Sequence, residues 1–144
     1  MEALAKIGQE WSQEFYRMLA AAKDSFARGE AAEFLAAGSD QDREKNLVLL
    51  KNLLIDTDVA VRLRAAVSLI LLDDVTGRAV VLEALNSKTD WDQQRALQQL
   101  ARLSKLDQRA FAKTRIEAIA ADLKAHEETR RLAAQLLRDP KERR

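Results

Sequence analysis

Along nearly the whole chain apolar residues recur three or four positions apart, the spacing that places them on one stripe of an α-helix. Leu4, Ile7, Trp11, Phe15, Leu19, Ala22 and Phe26 form the first stripe, a helix predicted to run to about Arg28 and to break at Gly29. A short helical piece over 30–37 presents Phe34 and Leu35, and Gly38-Ser39-Asp40 supplies a stop followed by N-cap residues. The helix opening at Asp40 or Asp42 carries Leu47, Leu50 and Leu54 on one line, with Leu49 and Leu53 beside it. Past Asp56-Thr57-Asp58, the residues Val61, Ala65, Ala66, Leu69 and Leu72 define another helix, which Asp73-Asp74 closes. Helices are then predicted over about 78–85, over about 92–103 with Leu97, Leu100 and Leu103 aligned, and from Asp107 through Ala112, Ile116, Ile119 and Leu123. The last spans about 128–138, and Asp139-Pro140 ends it.

These helices pair, and the pairs recur. Asp56-Thr57-Asp58, Asp90-Trp91-Asp92 and Lys124-Ala125-His126 begin 34 residues apart, each just before the second helix of a pair. A fixed period of this size marks stacked helical hairpins. The fullest copy reads Asp56-x-Asp58-x-x-Val61-Arg62-x-x-Ala65-Ala66-x-x-Leu69. Arg130, Ala133, Ala134 and Leu137 repeat its end 68 positions on, with Lys124 and Thr129 replacing the aspartate and the valine. The middle copy keeps Asp90, Asp92, Leu97 and Leu100-x-x-Leu103, with Arg95 one place out of register.

The pattern resembles the HEAT repeat, in which a turn aspartate and an arginine six positions later bond across the turn and to neighbouring repeats, and small alanines admit close helix contact. The resemblance covers about 42–138. It implies an all-α protein, an α-α superhelix: a short HEAT-like solenoid of about three antiparallel helix pairs within a single domain of 1–144. Residues 1–38 would then be an N-terminal helical cap, or a dimerising element, and 139–144 a short charged tail. The helix after Asp58 fits, because Leu63, Val67 and Ile70 add a second apolar stripe and demand cover on both sides. At the matching places of the last copy stand Arg131, Gln135 and Arg138, polar as a capping face requires.

Composition narrows the class further. Of 144 residues, 25 are Ala and 22 Leu, while Gly and Pro together number five; an average chain of this length would carry roughly 17. That excludes a turn-rich sheet protein. Cysteine is absent, so disulfides and thiolate-metal sites are excluded. Glu2, Lys6, Glu10 and Glu14 interrupt any leader-like run, and no stretch approaches the roughly 18 apolar residues of a membrane span. A cytoplasmic location without membrane contact is the default expectation. Net charge is +1, with 12 Lys/Arg against 16 Asp/Glu over 1–101 and 12 against 7 over 102–144. This skew is too mild for a dedicated nucleic-acid binder.

Candidate chemistry is sparse. The one histidine, His126, falls in a predicted turn with no second histidine or cysteine to share a metal. No serine sits in a nucleophile elbow and no glycine loop could cradle a phosphate. The carboxylate pairs Asp56/Asp58, Asp73/Asp74, Asp90/Asp92 and Glu127/Glu128 all fall at helix boundaries, where capping accounts for them. Trp91 beside Asp92 invites comparison with HEAT-like DNA glycosylases, but packing of Trp91 on the preceding helix is the simpler reading, and Trp11 and Phe15 read as core. No catalytic residue, metal ligand or cofactor site is expected.

In HEAT-like solenoids the second helices line the concave surface. Across the 34-residue period Arg64 and Ser68 map onto Gln98 and Arg102, and Leu71 onto Lys105. The resemblance therefore implies a polar, basic strip of Arg64, Gln94, Gln98, Arg102 and Lys105; the plain alternative is a solvated face. The function this favours is a non-enzymatic interaction module or scaffold, taking a protein or peptide partner that is acidic where it meets the strip. Nucleic-acid binding through the strip and the basic end Arg138-Asp139-Pro140-Lys141-Glu142-Arg143-Arg144 is the second reading, weakened by the interspersed acids. A role as an enzyme's accessory subunit is the third.

Overall fold

The computed structural model describes residues 12–138, and every regular element among them is helical. Helix α1 covers 12–19 of the described residues, and α2 is Ser25–Phe34, extended by a 3₁₀ turn over Leu35–Ala37. Next come α3 (Asp40–Leu53), α4 (Val59–Leu71) and a 3₁₀ turn at Val75–Gly77. Then follow α5 (Arg78–Leu85), α6 (Asp90–Leu100), the single turn α7 (Leu106–Arg109), a 3₁₀ turn at Ala110–Ala112, α8 (Lys113–Ala121) and α9 (Glu127–Leu137). The chain divides into two compact units between Gly77 and Arg78.

The first unit corrects the reading of the N-terminal segment. In place of one helix running to Arg28, residues 20–24 turn the chain, and Asp24 caps α2 by accepting the Ala27 N–H at 3.2 Å. Alanine is the best helix former, so the run Ala20-Ala21-Ala22 carries no propensity signal for the break. Gly29, expected to end a helix, is buried inside α2. It serves a close approach: a Cβ there would lie 3.3 Å from Nη1 of Arg64 on α4. The part of the predicted helix before residue 12, with Trp11, lies outside the described residues.

α2 and α3 both pack on α4, around a core that includes Ala31, Ala32, Leu35, Leu50, Val61, Ala65 and Leu69. Two arginines repeat one geometry at the 34-residue interval. Arg28 Nη1 donates to the carbonyls of Ala22 (3.0 Å) and Lys23 (2.7 Å), and Arg62 Nη1 to those of Asp56 (2.7 Å) and Thr57 (3.2 Å). The Asp56 carboxylate takes Arg28 in a two-bond fork, Nε at 2.6 Å and Nη2 at 3.0 Å, and accepts the Asp58 N–H at 2.9 Å. Asp56 thus ties the α3–α4 turn to the α1–α2 pair, while Arg62 binds the backbone of its own turn. The second apolar stripe of α4, Leu63, Val67 and Ile70, is buried as its composition demanded.

α4 ends in two backbone bonds, Asp74 N–H to Leu69 O and Asp73 N–H to Ile70 O, with Asp73 in the left-handed region at φ 60°. The chain then folds back so tightly that a Cβ on Gly77 would stand 2.2 Å from the Ala66 carbonyl oxygen. Between α1 and α3 lies a buried polar cluster. Asn46 donates to Gln13 Oε1 (2.8 Å) and Leu35 O (3.0 Å), and Arg17 reaches both Asn46 and Asp42.

In the second unit α5 packs on α6 and α8 on α9, and α6 also packs on α9 and α5 on α8. Gln93 and Arg115 both donate to the Leu85 carbonyl, satisfying the C-terminus of α5. The single helix expected from Asp107 through Leu123 is interrupted by the 3₁₀ turn at Ala110–Ala112 and stops at Ala121, leaving Leu123 85% exposed. A 3₁₀ turn also repeats every three residues, so the stripe through Ala112, Ile116 and Ile119 reads the same with or without the break. At the interruption Arg109 turns inward to donate to Leu136 O, and Phe111 lies beneath the Arg78 guanidinium.

Candidate partner-binding surface

The five residues of the expected strip fall in different settings. Arg64 belongs to the first unit, where its Nη1 pairs with Glu30 at 2.8 Å and its Nε faces Glu33 at 3.8 Å, both on α2. Its charge is taken up by its own unit. In the second unit Gln94 and Gln98 lie on α6, Arg102 lies just beyond its C-terminus with Nη1 on Gln99 Oε1 at 3.0 Å, and Lys105 is the exposed N-cap of α7.

Gln94 is absorbed into the packing of α6 on α9. Its Nε2 donates to Thr129 Oγ1 at 3.0 Å, and Thr129 in turn donates to Asp90 Oδ1 at 3.0 Å. The same carboxylate oxygen accepts the backbone N–H of His126 at 3.2 Å. Asp90, read from sequence as a turn and capping residue, therefore also binds the next helix pair. Its 34-residue spacing from Asp56 was the available signal, since both aspartates tie one pair to another.

Gln98 opens onto the feature that sequence reading missed, a groove of about 360 Å³ between α6 and α9. Leu97, Ala101, Leu132 and Leu136 supply apolar wall, and Gln98, Gln135 and Arg138 the polar rim. Both helices are amphipathic, and their packing on one another leaves this seam open. Arg131 and Glu128, one turn apart on α9, pair at the surface, and this bond holds the Glu128 carboxyl below its ordinary range. No protein-family model matches the chain, and neither the curated proteins nor the solved structures contain a match to it.

Other polar groups cap helices and turns. Asp58 caps α4 by accepting the Ala60 N–H at 2.8 Å, and Asp74 accepts the Thr76 N–H at 2.9 Å. His126 caps α9, its Nδ1 accepting the Glu128 N–H at 3.3 Å. Among the described residues no group of His, Asp or Glu could hold a metal ion, and no helix is long and apolar enough to cross a membrane. The Arg28 fork holds the Asp56 carboxyl below the ordinary carboxylate range against the opposing effect of burial.

Two aromatic expectations are overturned. Trp91 does not pack on the preceding helix; it is 61% exposed, with the Arg95 guanidinium of its own helix 4.3 Å from the ring centre. Phe15 is 55% exposed, while its neighbour Tyr16 stacks on Phe34 at 4.6 Å. A periodic stripe locates one side of a helix, and the width of the side actually covered depends on the partner.

Proposed function

We propose that the chain is a non-enzymatic interaction module of HEAT-like kind, in which the helix pairs of each unit stack as in a short α-solenoid and the second helices present a surface to a protein or peptide partner. The α6–α9 groove carries this reading: it pairs an apolar wall with an amide and guanidinium rim, a combination that seats a short peptide bearing apolar side chains and an acid. It moves the recognition surface away from Arg64, whose charge is already paired, and centres it on Gln98.

The test is selection from a displayed peptide library against the full chain, followed by calorimetry on the winners. Acidic peptides with apolar anchors are expected. Gln98→Glu or Gln135→Glu, both at exposed positions, should weaken them about tenfold, and Arg64→Glu should leave them unchanged. Winners indifferent to Gln98→Glu and Gln135→Glu would sink the reading. Salt-sensitive binding of single-stranded oligonucleotide in their place would favour nucleic acid.

A further inference from the structure

On the other side of the α9 C-terminus lies a second, larger groove of about 520 Å³, within the range of roughly 300–1,000 Å³ typical of small-molecule sites. Its floor is apolar, the buried Ile116 and Leu136, flanked by the exposed Leu106, Ala110 and Leu137. Leu106 is 62% exposed although it opens α7, so an apolar residue stands at the lip with nothing among the described residues to cover it. The charged lining is unbalanced, with Arg109, Lys113 and Arg138 against the single acid Asp107. Arg109 is buried beneath the floor and braces Leu136 O, which leaves Lys113 and Arg138 as the cations nearest solvent. Lys113 has only a 3.9 Å ion pair with Glu117, both side chains being largely exposed.

We infer that this groove binds a single-chain anionic amphiphile, a fatty acid or a molecule of the same chemistry, with its chain along Leu106, Ile116 and Leu137 and its head between Lys113 and Arg138. Charge selects the occupant: a polar ligand would leave the floor unused, and a cationic amphiphile would meet the excess of positive charge. The groove shares Leu136 and Arg138 with the α6–α9 groove, whereas Leu106 and Lys113 line this one alone, so variants at those two positions test it separately.

Nuclear magnetic resonance titration of the full chain with octanoate, decanoate and dodecanoate, each below its micelle threshold, tests this. One saturable site is expected, shifting the amides of Leu106, Ala110 and Leu137. Affinity should rise roughly tenfold for each two methylenes, from about 0.8 kcal/mol per buried methylene. Dodecylammonium should bind at least tenfold more weakly than dodecanoate. Leu106→Glu, which adds an acid to the first turn of a helix where it is tolerated, should weaken dodecanoate at least tenfold. Lys113→Gln, at an exposed position, should weaken it several-fold without changing the melting temperature, and Gln98→Glu should have no effect. Equal binding of the two amphiphiles, an affinity flat in chain length, binding to anionic vesicles but not to monomer, or indifference to both Leu106→Glu and Lys113→Gln would each overturn the proposal.

Discussion

Removing the Asp56 carboxylate is the sharpest test of how the first unit is held. In the Asp56→Ala variant the Arg28 fork and the acceptor for Asp58 N–H disappear together. The side chains of Asp56 and Arg28 are 8% and 16% exposed, which makes this a part-buried pair. Removing one partner of a part-buried, charge-assisted fork costs about 1.5–3 kcal/mol. Arg28 keeps two backbone carbonyls, those of Ala22 and Lys23, which places the pair's loss at the low end of that range. The turn bond to Asp58 contributes about 1 kcal/mol more, so the whole effect should be about 2–3 kcal/mol.

Urea unfolding followed by helical circular dichroism measures it, with Arg28→Ala and the double variant completing a thermodynamic cycle. A coupling of about 2 kcal/mol between the two positions is expected, whereas strict additivity, or a single-variant loss under about 1 kcal/mol, would refute the role of Asp56 as the tie between the two helix pairs. The pH dependence has a definite sign. The folded-state carboxyl lies below its unfolded value, so its contribution is complete above about pH 4 and is lost as the pH falls through the folded value. Asp56→Ala should therefore lose less stability than wild type on acidification below pH 4.

Three other substitutions test the packing. Gly77→Ala pushes a methyl group against the Ala66 backbone, which cannot yield like a side chain, and should destabilise by about 3 kcal/mol, read in thermal or urea unfolding. Asn46→Ala, at a fully buried position, strips partners from Gln13 and the Leu35 carbonyl and should cost about 2–3 kcal/mol by the same assay. Trp91→Ala, by contrast, should cost no more than about 1 kcal/mol, since an exposed ring with one stacked arginine gives up little. A loss above about 3 kcal/mol there would restore the reading that Trp91 packs on the preceding helix.

The α1–α2 pair shows what a periodic sequence reveals and what it conceals. Asp24-x-x-Ala27-Arg28-x-x-Ala31-Ala32-x-x-Leu35 repeats Asp58-x-x-Val61-Arg62-x-x-Ala65-Ala66-x-x-Leu69 at the 34-residue interval. That copy was open to inspection, but Ala22 stands where Asp56 would call attention to the turn, and Gly29 read as a stop. The described residues accordingly form four helix pairs, one more than the sequence pattern suggested.

Helical class, most helix positions and the two-sided burial of α4 followed from the sequence alone, because hydrophobic periodicity and capping residues act within a few positions of one another. The destinations of the charges depended on neighbours far along the chain. Arg64 reads as a free cation from its own helix and becomes half of an ion pair once α2 passes 34 residues away. Both grooves are lined by residues of separate elements, α6 and α9 for one and α7, α8 and α9 for the other, which no single helix pattern brings together. Local pattern specifies which face of a helix is apolar; only tertiary packing decides how much of that face is covered and what is left open to bind.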